Sequence, residues 1–210
     1  MIILDVIITV LLFLIFAFSH TLLAALKIKK RLTERIGNKI AFYRLFYNIS
    51  SVMIFFVFYE LSPKPDVIVY NLQKPYDIII FVVQVLSLIG FFWASKPIRL
   101  IEFIGIGQIE RYYKGTYNPD DLDEKLELKI VGAYKIVRHP IYLFSIMFLG
   151  LRPTMDLSYL VIFVCITIYF YIGSIYEEKK LFEVFGEEYR EYQKNVPRII
   201  PRIYGKKNPK

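Results

Sequence analysis

Residues 4–26 read LDVIITVLLFLIFAFSHTLLAAL, an apolar run with one acid, Asp5, and no base before Lys27. About 20 apolar residues cross about 30 Å of hydrocarbon at about 1.5 Å per residue, so the run predicts a membrane-spanning helix. A cleaved leader opens on bases and carries a shorter apolar stretch, whereas here Lys27, Lys29, Lys30 and Arg31 follow it, so the segment is read as retained. The whole chain agrees: 56% hydrophobic residues over 210 and a mean hydropathy of +0.44 exceed what a soluble core of this size needs, which makes the bilayer the expected solvent.

Four more apolar stretches follow, at 40–61, 77–95, Ile141–Leu151 and Leu157–Tyr176. The fourth covers only about 17 Å as a helix, so it needs help from the flanking Arg138-His139-Pro140 segment or a broken geometry covered by protein. Lysine and arginine then orient the chain. Residues 27–39 carry six bases, whereas 62–76 carry Lys64 and Lys74 and 152–156 only Arg152. The first loop is therefore cytoplasmic, the amino terminus outside, and residues 96–140 and the basic carboxyl tail inside. An even number of crossings would put a basic end on the wrong face, so the charge pattern supports five. The expected fold is all-α: five transmembrane helices, the last two a hairpin turning near Pro153, with an amphipathic cytoplasmic carboxyl-terminal helix. That helix is expected over Glu187–Lys194, after a stop at Gly186, with Tyr189 and Tyr192 at the membrane interface. The division expected is a three-helix region with its cytoplasmic loop over 1–125 and a second region, carrying the hairpin and tail, over 126–210. The basic inner loops suit a prokaryotic inner membrane.

Several function classes fall away. The single cysteine, Cys165, allows neither a disulfide framework nor a thiolate zinc site within one chain. Two histidines, His20 and His139, without an HExxH spacing give no close ligand pair, so no metal is expected. The net charge of +8 sits beside apolar segments, where orientation in the membrane explains it better than nucleic acid does. Gly105-Ile106-Gly107 lacks the third glycine of a dinucleotide fingerprint.

Two polar clusters remain, and the topology sends both to the cytoplasmic face: Arg138-His139-Pro140-Ile141-Tyr142 before the fourth crossing and Glu177-Glu178 after the fifth. Arg138 can bind an anion, His139 can donate or accept near neutral pH, and the carboxylates can hold ribose hydroxyls or an ammonium, a nucleotide-like set. The plainer reading makes Arg138 a headgroup anchor, Pro140 a helix start and the glutamates a solvated turn paired with Lys180 and Lys179. His20 lies about two turns inside the first crossing, a depth at which an ionisable group is a functional candidate; the alternative is a histidine hydrogen-bonded between helices.

At these residues the chain resembles the membrane-embedded isoprenylcysteine carboxyl methyltransferase superfamily. The likeness runs through Gly132-Ala133-Tyr134, Val137 to Tyr142, Glu177 to Leu181, and Phe185-Gly186-Glu187-Glu188-Tyr189 with Tyr192, Val196, Pro197 and Pro201. It implies an S-adenosylmethionine site without a Rossmann fold, with cofactor contacts at Tyr134, His139, Pro140, Ile141, Tyr142 and Glu177; Arg138 and Glu178 join them from the residue chemistry. Phe18-Ser19-His20 with Ala24, Glu102 to Gly105 with Gln108, and Arg152-Pro153-Thr154-Met155 are similar to the NnrU and methanethiol S-methyltransferase branch. The prenylcysteine enzymes place an arginine four residues before the first glutamate, where Gly173 stands here. The resemblance therefore implies methylation of a small thiol such as methanethiol to dimethyl sulfide, with His20 or His139 as catalytic groups helping the thiol lose its proton. The partners implied are a small or lipophilic methyl acceptor and membrane lipid, without nucleic acid.

Three other readings stay open at this level. One is methyl transfer to an isoprenylcysteine carboxylate or a lipid. Another is an NnrU-like accessory protein without catalysis. The third is an NADPH-dependent sterol-type reductase, which shares an RHP-Tyr segment, although such enzymes carry Asn where Ile141 stands here.

Overall fold

The computed structural model describes residues 1–120, 122 and 127–202. In chain order its elements are α1 (Ile2–Ala24), α2 (Leu26–Ile36), a 3₁₀ turn (Gly37–Phe42), α3 (Tyr43–Leu61), β1 (Ile68–Asn71), α4 (Tyr76–Ser95), α5 (Leu100–Ile104), α6 (Ile106–Tyr113), a second 3₁₀ turn (Gly132–Lys135), α7 (Pro140–Gly150), β2 (Thr154–Asp156), α8 (Leu157–Phe185) and α9 (Glu187–Asn195). Among the described residues four helical stretches are long and apolar enough to cross a membrane: Ile2–Ala24, Leu26–Leu61, Tyr76–Ser95 and Leu157–Phe185. Their flanks expose Leu, Ile, Val and Phe side chains in number, as lipid-facing helices do. The apolar run at 140–150 forms a shorter helix.

The chain divides into two compact units, 1–66 with 98–125 and 67–97 with 126–210. Residues 67–97, which a division at 125 leaves with the amino-terminal region, pack with the carboxyl-terminal part.

In the amino-terminal unit α1 and α3 meet through aromatic rings. Phe16 lies 5.3 Å from Phe55 and Phe13 lies 5.7 Å from Phe58, both edge-on, the arrangement ring quadrupoles favour. Of the tyrosines and phenylalanines in α3, Phe58 and Tyr43 are buried while Phe56 faces outward. Extended backbone at Ala25 separates α1 from α2, and the Tyr43 hydroxyl ties the junction by donating to the Leu23 carbonyl at 2.8 Å. Gly105, at φ 98°, is the hinge between α5 and α6; a side chain there would strike the backbone of Leu45. Glu102 takes a two-point ion pair from Arg111 at 2.6 and 2.9 Å. That hydrogen bond and the arginine charges nearby hold its carboxyl below the ordinary range.

The carboxyl-terminal unit is built on α4, α7 and α8. Pro140 opens α7 at the position where a missing N–H costs nothing. The short helix is covered by protein: Gln84 donates to the Phe148 carbonyl at 2.9 Å, and Gly90 lets the Phe144 ring lie against α4. Asp156 caps α8, accepting from the Tyr159 amide, and Gly186 at φ 53° ends it, as the sequence predicts.

One expectation is sharpened and one is corrected. The chain is mostly helical, as expected, with one short ladder besides: β1 and β2 pair antiparallel, Ile68 with Asp156, Tyr70 with Met155 and Asn71 with Thr154. The proline-marked loops before α4 and before α8 thus satisfy each other's backbone groups instead of remaining separate turns. Tyr189 and Tyr192, expected at a membrane interface, are instead buried with Val196 against Leu128, Ile130, Leu181, Phe182 and Phe185. Protein apolar surface, rather than lipid, covers that face of α9.

Candidate functional site

Within the carboxyl-terminal unit the end of α8 stands over the start of α7, and the two polar clusters meet. Arg138 spends its guanidinium entirely on protein: Nε donates to Glu178 Oε1 at 2.8 Å, Nη2 to Oε2 at 3.1 Å, and Nη1 to the carbonyls of Gln193 and Val196. Glu178, 3% exposed, also accepts from Gln193 Nε2 at 3.1 Å and Arg198 Nη2 at 3.0 Å. Backbone bonds close the arrangement, the amides of Arg138 and His139 donating to the carbonyls of Pro197 and Arg198 at 2.8 and 2.9 Å. Arg138 and Glu178 therefore form a clasp that holds the tail at 193–198 against the RHP segment, and neither is a headgroup anchor or a solvated turn.

His139 sits between the two acids. Its Nε2 is 3.2 Å from Glu178 Oε1 and its Nδ1 is 3.3 Å from Glu177 Oε2. Burial works against a charge on the ring, but the hydrogen bonds to Glu177 and Glu178 and the charge of both outweigh it, so its pKa lies above the ordinary value. The protonated ring can donate from both nitrogens at once.

Glu177 differs from its neighbour in kind: its side chain is 52% exposed and accepts a hydrogen bond from the Tyr142 hydroxyl. Tyr142 is one layer of a three-ring stack, His139 at 5.4 Å and Phe170 at 4.8 Å, with planes tilted only 5° and 7°. Gly173 lies one turn before Glu177, and a Cβ there would come 3.9 Å from the Tyr142 hydroxyl, so this position belongs to the same neighbourhood. Tyr134 is held by its carbonyl, which accepts from the Tyr192 hydroxyl at 2.5 Å. Burial and the Glu177 charge raise the Tyr134 phenol. Pro140 is buried beneath the cluster and Ile141 is half-buried in the first turn of α7.

The structure thus brings Arg138, His139, Tyr142, Glu177 and Glu178 into one cluster, with Tyr134 near Glu177. Sequence reading misses Phe170, Gln193 and Arg198. Phe170 sits two turns before Glu177 on the same helix, a spacing that could have flagged it; Gln193 and Arg198 carry no local signal because they reach Glu178 through the path of the tail.

His20 belongs to the other unit. Its Nε2 is 2.8 Å from the Tyr47 hydroxyl, and both side chains line a cavity of about 360 Å³ whose walls include Tyr43, Asn48, Phe103 and Gln108.

Comparison with known proteins gives one consistent result. Methanethiol S-methyltransferase 1 of Bradyrhizobium diazoefficiens is 31% identical over 201 residues, covering 93% of this chain and 67% of the relative. The methanethiol S-methyltransferase of Crocosphaera subtropica is 28% identical over 92% of this chain and 73% of its own length. That of Pseudomonas deceptionensis is 47% identical over a shorter match of 76 residues, 36% of this chain and 28% of the relative. No family model and no solved structure matches the chain. With nearly the whole chain aligned above 30% identity to the first of these enzymes, the chain belongs to the methanethiol S-methyltransferase family.

Proposed function

We propose that this chain is an integral membrane methyltransferase that transfers a methyl group from S-adenosylmethionine to a small thiol, with methanethiol the first acceptor to test and dimethyl sulfide the product. The observation that carries the cofactor assignment is the contrast between adjacent acids: Glu178 is buried and saturated, while Glu177 stands half-exposed beside a stacked aromatic wall. The residues fit the group. Glu177 would accept from ribose hydroxyls or the ammonium, protonated His139 would offer a donor to a carboxylate, and Tyr142 and Tyr134 would supply ring surface. Pro140 and Ile141 would shape the floor. Arg138 and Glu178 take the positioning role, since their polar atoms are already committed to the tail and to His139.

When bound, S-adenosylmethionine supplies a methyl group on a sulfonium, whose C–S bond breaks as the acceptor sulfur takes the methyl carbon. The protein's share is to align the two sulfurs, exclude water and remove the thiol proton. His139, with a carboxylate at each ring nitrogen, is suited to donating; His20, whose Nε2 meets the Tyr47 hydroxyl, is the other candidate for taking the thiol proton. Gly173, lying beside Tyr142, leaves no cation where the prenylcysteine enzymes place arginine, which favours a small thiol over a prenylated carboxylate.

The test is turnover. Purified protein in nanodiscs, given labelled S-adenosylmethionine and methanethiol, should release labelled dimethyl sulfide into the headspace; binding of the cofactor without methylation of any thiol, prenylcysteine or lipid would reject the assignment. The same proposal includes five crossings with the amino terminus outside, α7 being the fourth, in a prokaryotic inner membrane. An Arg35→Cys variant should then be labelled by impermeant reagents only from the cytoplasmic side and a Lys64→Cys variant only from outside.

A further inference from the structure

We infer that Arg198 is a positioning residue of the site in the carboxyl-terminal unit: from the tail it closes a ring of contacts that fixes the His139 imidazole where it faces Glu177. Three links close the ring. The His139 amide donates to the Arg198 carbonyl at 2.9 Å, Arg198 Nη2 donates to Glu178 Oε2 at 3.0 Å, and Glu178 Oε1 lies 3.2 Å from His139 Nε2. One residue thus holds both the backbone of His139, directly, and its ring, through the buried carboxylate. That His139 and Glu177 then meet S-adenosylmethionine rests on the methyltransferase reading; the ring of contacts does not.

Arg198 differs from Arg138 in what its loss would leave. Arg138 commits its guanidinium to both oxygens of Glu178 and to two tail carbonyls. Arg198 gives Glu178 a single hydrogen bond, from a side chain 29% exposed. Without it, Glu178 Oε2 keeps Arg138 Nη2 and Gln193 Nε2, both at 3.1 Å. The carboxylate therefore stays satisfied when the Arg198 side chain is replaced, and the tail keeps its bonds to Arg138. The buried Arg198 Nε has no hydrogen-bond partner among the described residues, which is a cost to the fold. A third donor on a carboxylate already paired, held at that cost, acts through its charge more than through stability.

The charges around His139 give this role a direction. Glu177 and Glu178 face its ring from α8, and Tyr142 stacks on it from α7. Arg138 precedes it in the chain and pairs with Glu178, Tyr134 from the 3₁₀ turn lies near Glu177, and Arg198 reaches in from the tail. Because Arg198 shares Glu178 with the ring, its positive charge competes with the imidazolium for that carboxylate and opposes the proton on His139. Bound at Oε2, it leaves Oε1 facing Nε2 of the ring, and Nδ1 remains beside Glu177.

The test follows both imidazoles by NMR of the full chain, histidine-labelled and in nanodiscs, with His20→Gln assigning the His139 signal. In Arg198→Gln the midpoint of the His139 titration should move up by about half a pH unit or more, since even the dielectric of water leaves that much between unit charges several ångströms apart. Arg198→Lys keeps the charge and can supply the one bond that Arg198 makes to Glu178, so the midpoint should return to the unaltered value. By calorimetry, S-adenosylmethionine should bind Arg198→Gln roughly three- to tenfold more weakly, with most of the loss recovered in Arg198→Lys. Arg198→Met, which keeps the apolar stem beside the Tyr171 ring, repeats both measurements should the glutamine variant fail to fold. The inference is overturned if the midpoint stays put in the glutamine and methionine variants, or moves as far in the lysine variant. It is overturned equally if a protein that binds S-adenosylmethionine binds it as well without the Arg198 charge. A moved midpoint in a protein that never binds S-adenosylmethionine would uphold the hold of Arg198 on His139 and reject the cofactor assignment; tight binding by every variant with an unmoved midpoint does the reverse.

Discussion

Arg138 and Glu178 lie 40 residues apart yet close a two-point ion pair with side chains only 9% and 3% exposed. Their charges are removed from water and compensated almost wholly by each other and by the tail. Taking away one partner leaves a buried charge unpaired, which costs about 3–5 kcal/mol. Glu178→Ala should therefore lower the melting temperature markedly in detergent, whereas Glu177→Ala, at a half-exposed side chain, should change it little. Equal losses from the two variants would remove the clasp.

Glu177 carries the opposite expectation for binding. A charge-assisted hydrogen bond is worth about 1.5–3 kcal/mol, so Glu177→Ala should weaken S-adenosylmethionine binding by roughly 10–150-fold. Tyr142→Phe, which keeps the ring stack and loses only the hydroxyl that holds Glu177, should weaken it less. Calorimetric titration of the three proteins checks the order, and unchanged affinity in Glu177→Ala would move the cofactor elsewhere.

Proton linkage at His139 gives a pH-dependent signature. Its folded-state pKa lies above the ordinary value because Glu177 and Glu178 outweigh burial. The folded state thus holds the proton more tightly than the unfolded chain. The stabilisation is complete below the unfolded value of about 6.5 and fades as pH rises through the folded one. The melting-temperature gap between the unaltered protein and His139→Gln should be widest below about pH 6 and should narrow on going to pH 9. A gap that stays constant or widens across that range contradicts the imidazolium.

Much of this arrangement was readable in the chain because its causes are local. Pro140 and Gly186 bound helices through their own backbone chemistry, and the apolar runs set helix length through the thickness of the bilayer. That the RHPIY segment meets Glu177 and Glu178 followed from counting crossings between them. What stayed hidden depends on chain path. Arg198 and Gln193 look like any polar residues of a basic tail until the tail turns back onto Glu178. The pairing of Asn71 with Thr154 joins loops 83 residues apart. Tyr189 and Tyr192 carry the amphipathic character of interface residues, and only the apolar side chains of Leu181, Phe182 and Phe185 decide that protein covers them.

Helix packing offers a final test, independent of the polar site. A Cβ at Gly90 would come within 2.3 Å of the Phe144 ring, so α4 and α7 approach closely because that position has no side chain. The ring is held on a helix covered by protein and tied to α4 through Gln84 and the Phe148 carbonyl, which limits its retreat. Gly90→Ala should cost about 1–3 kcal/mol through overpacking. Gly173→Ala, meeting only the Tyr142 hydroxyl at an ordinary 3.9 Å, should leave stability unchanged or slightly raised, since alanine suits a helix interior better than glycine. Thermal melts of the two variants in the same detergent measure the contrast. If Gly90→Ala matched the unaltered protein, the close approach of α4 and α7 would be wrong, and with it the explanation of how so short a helix is covered.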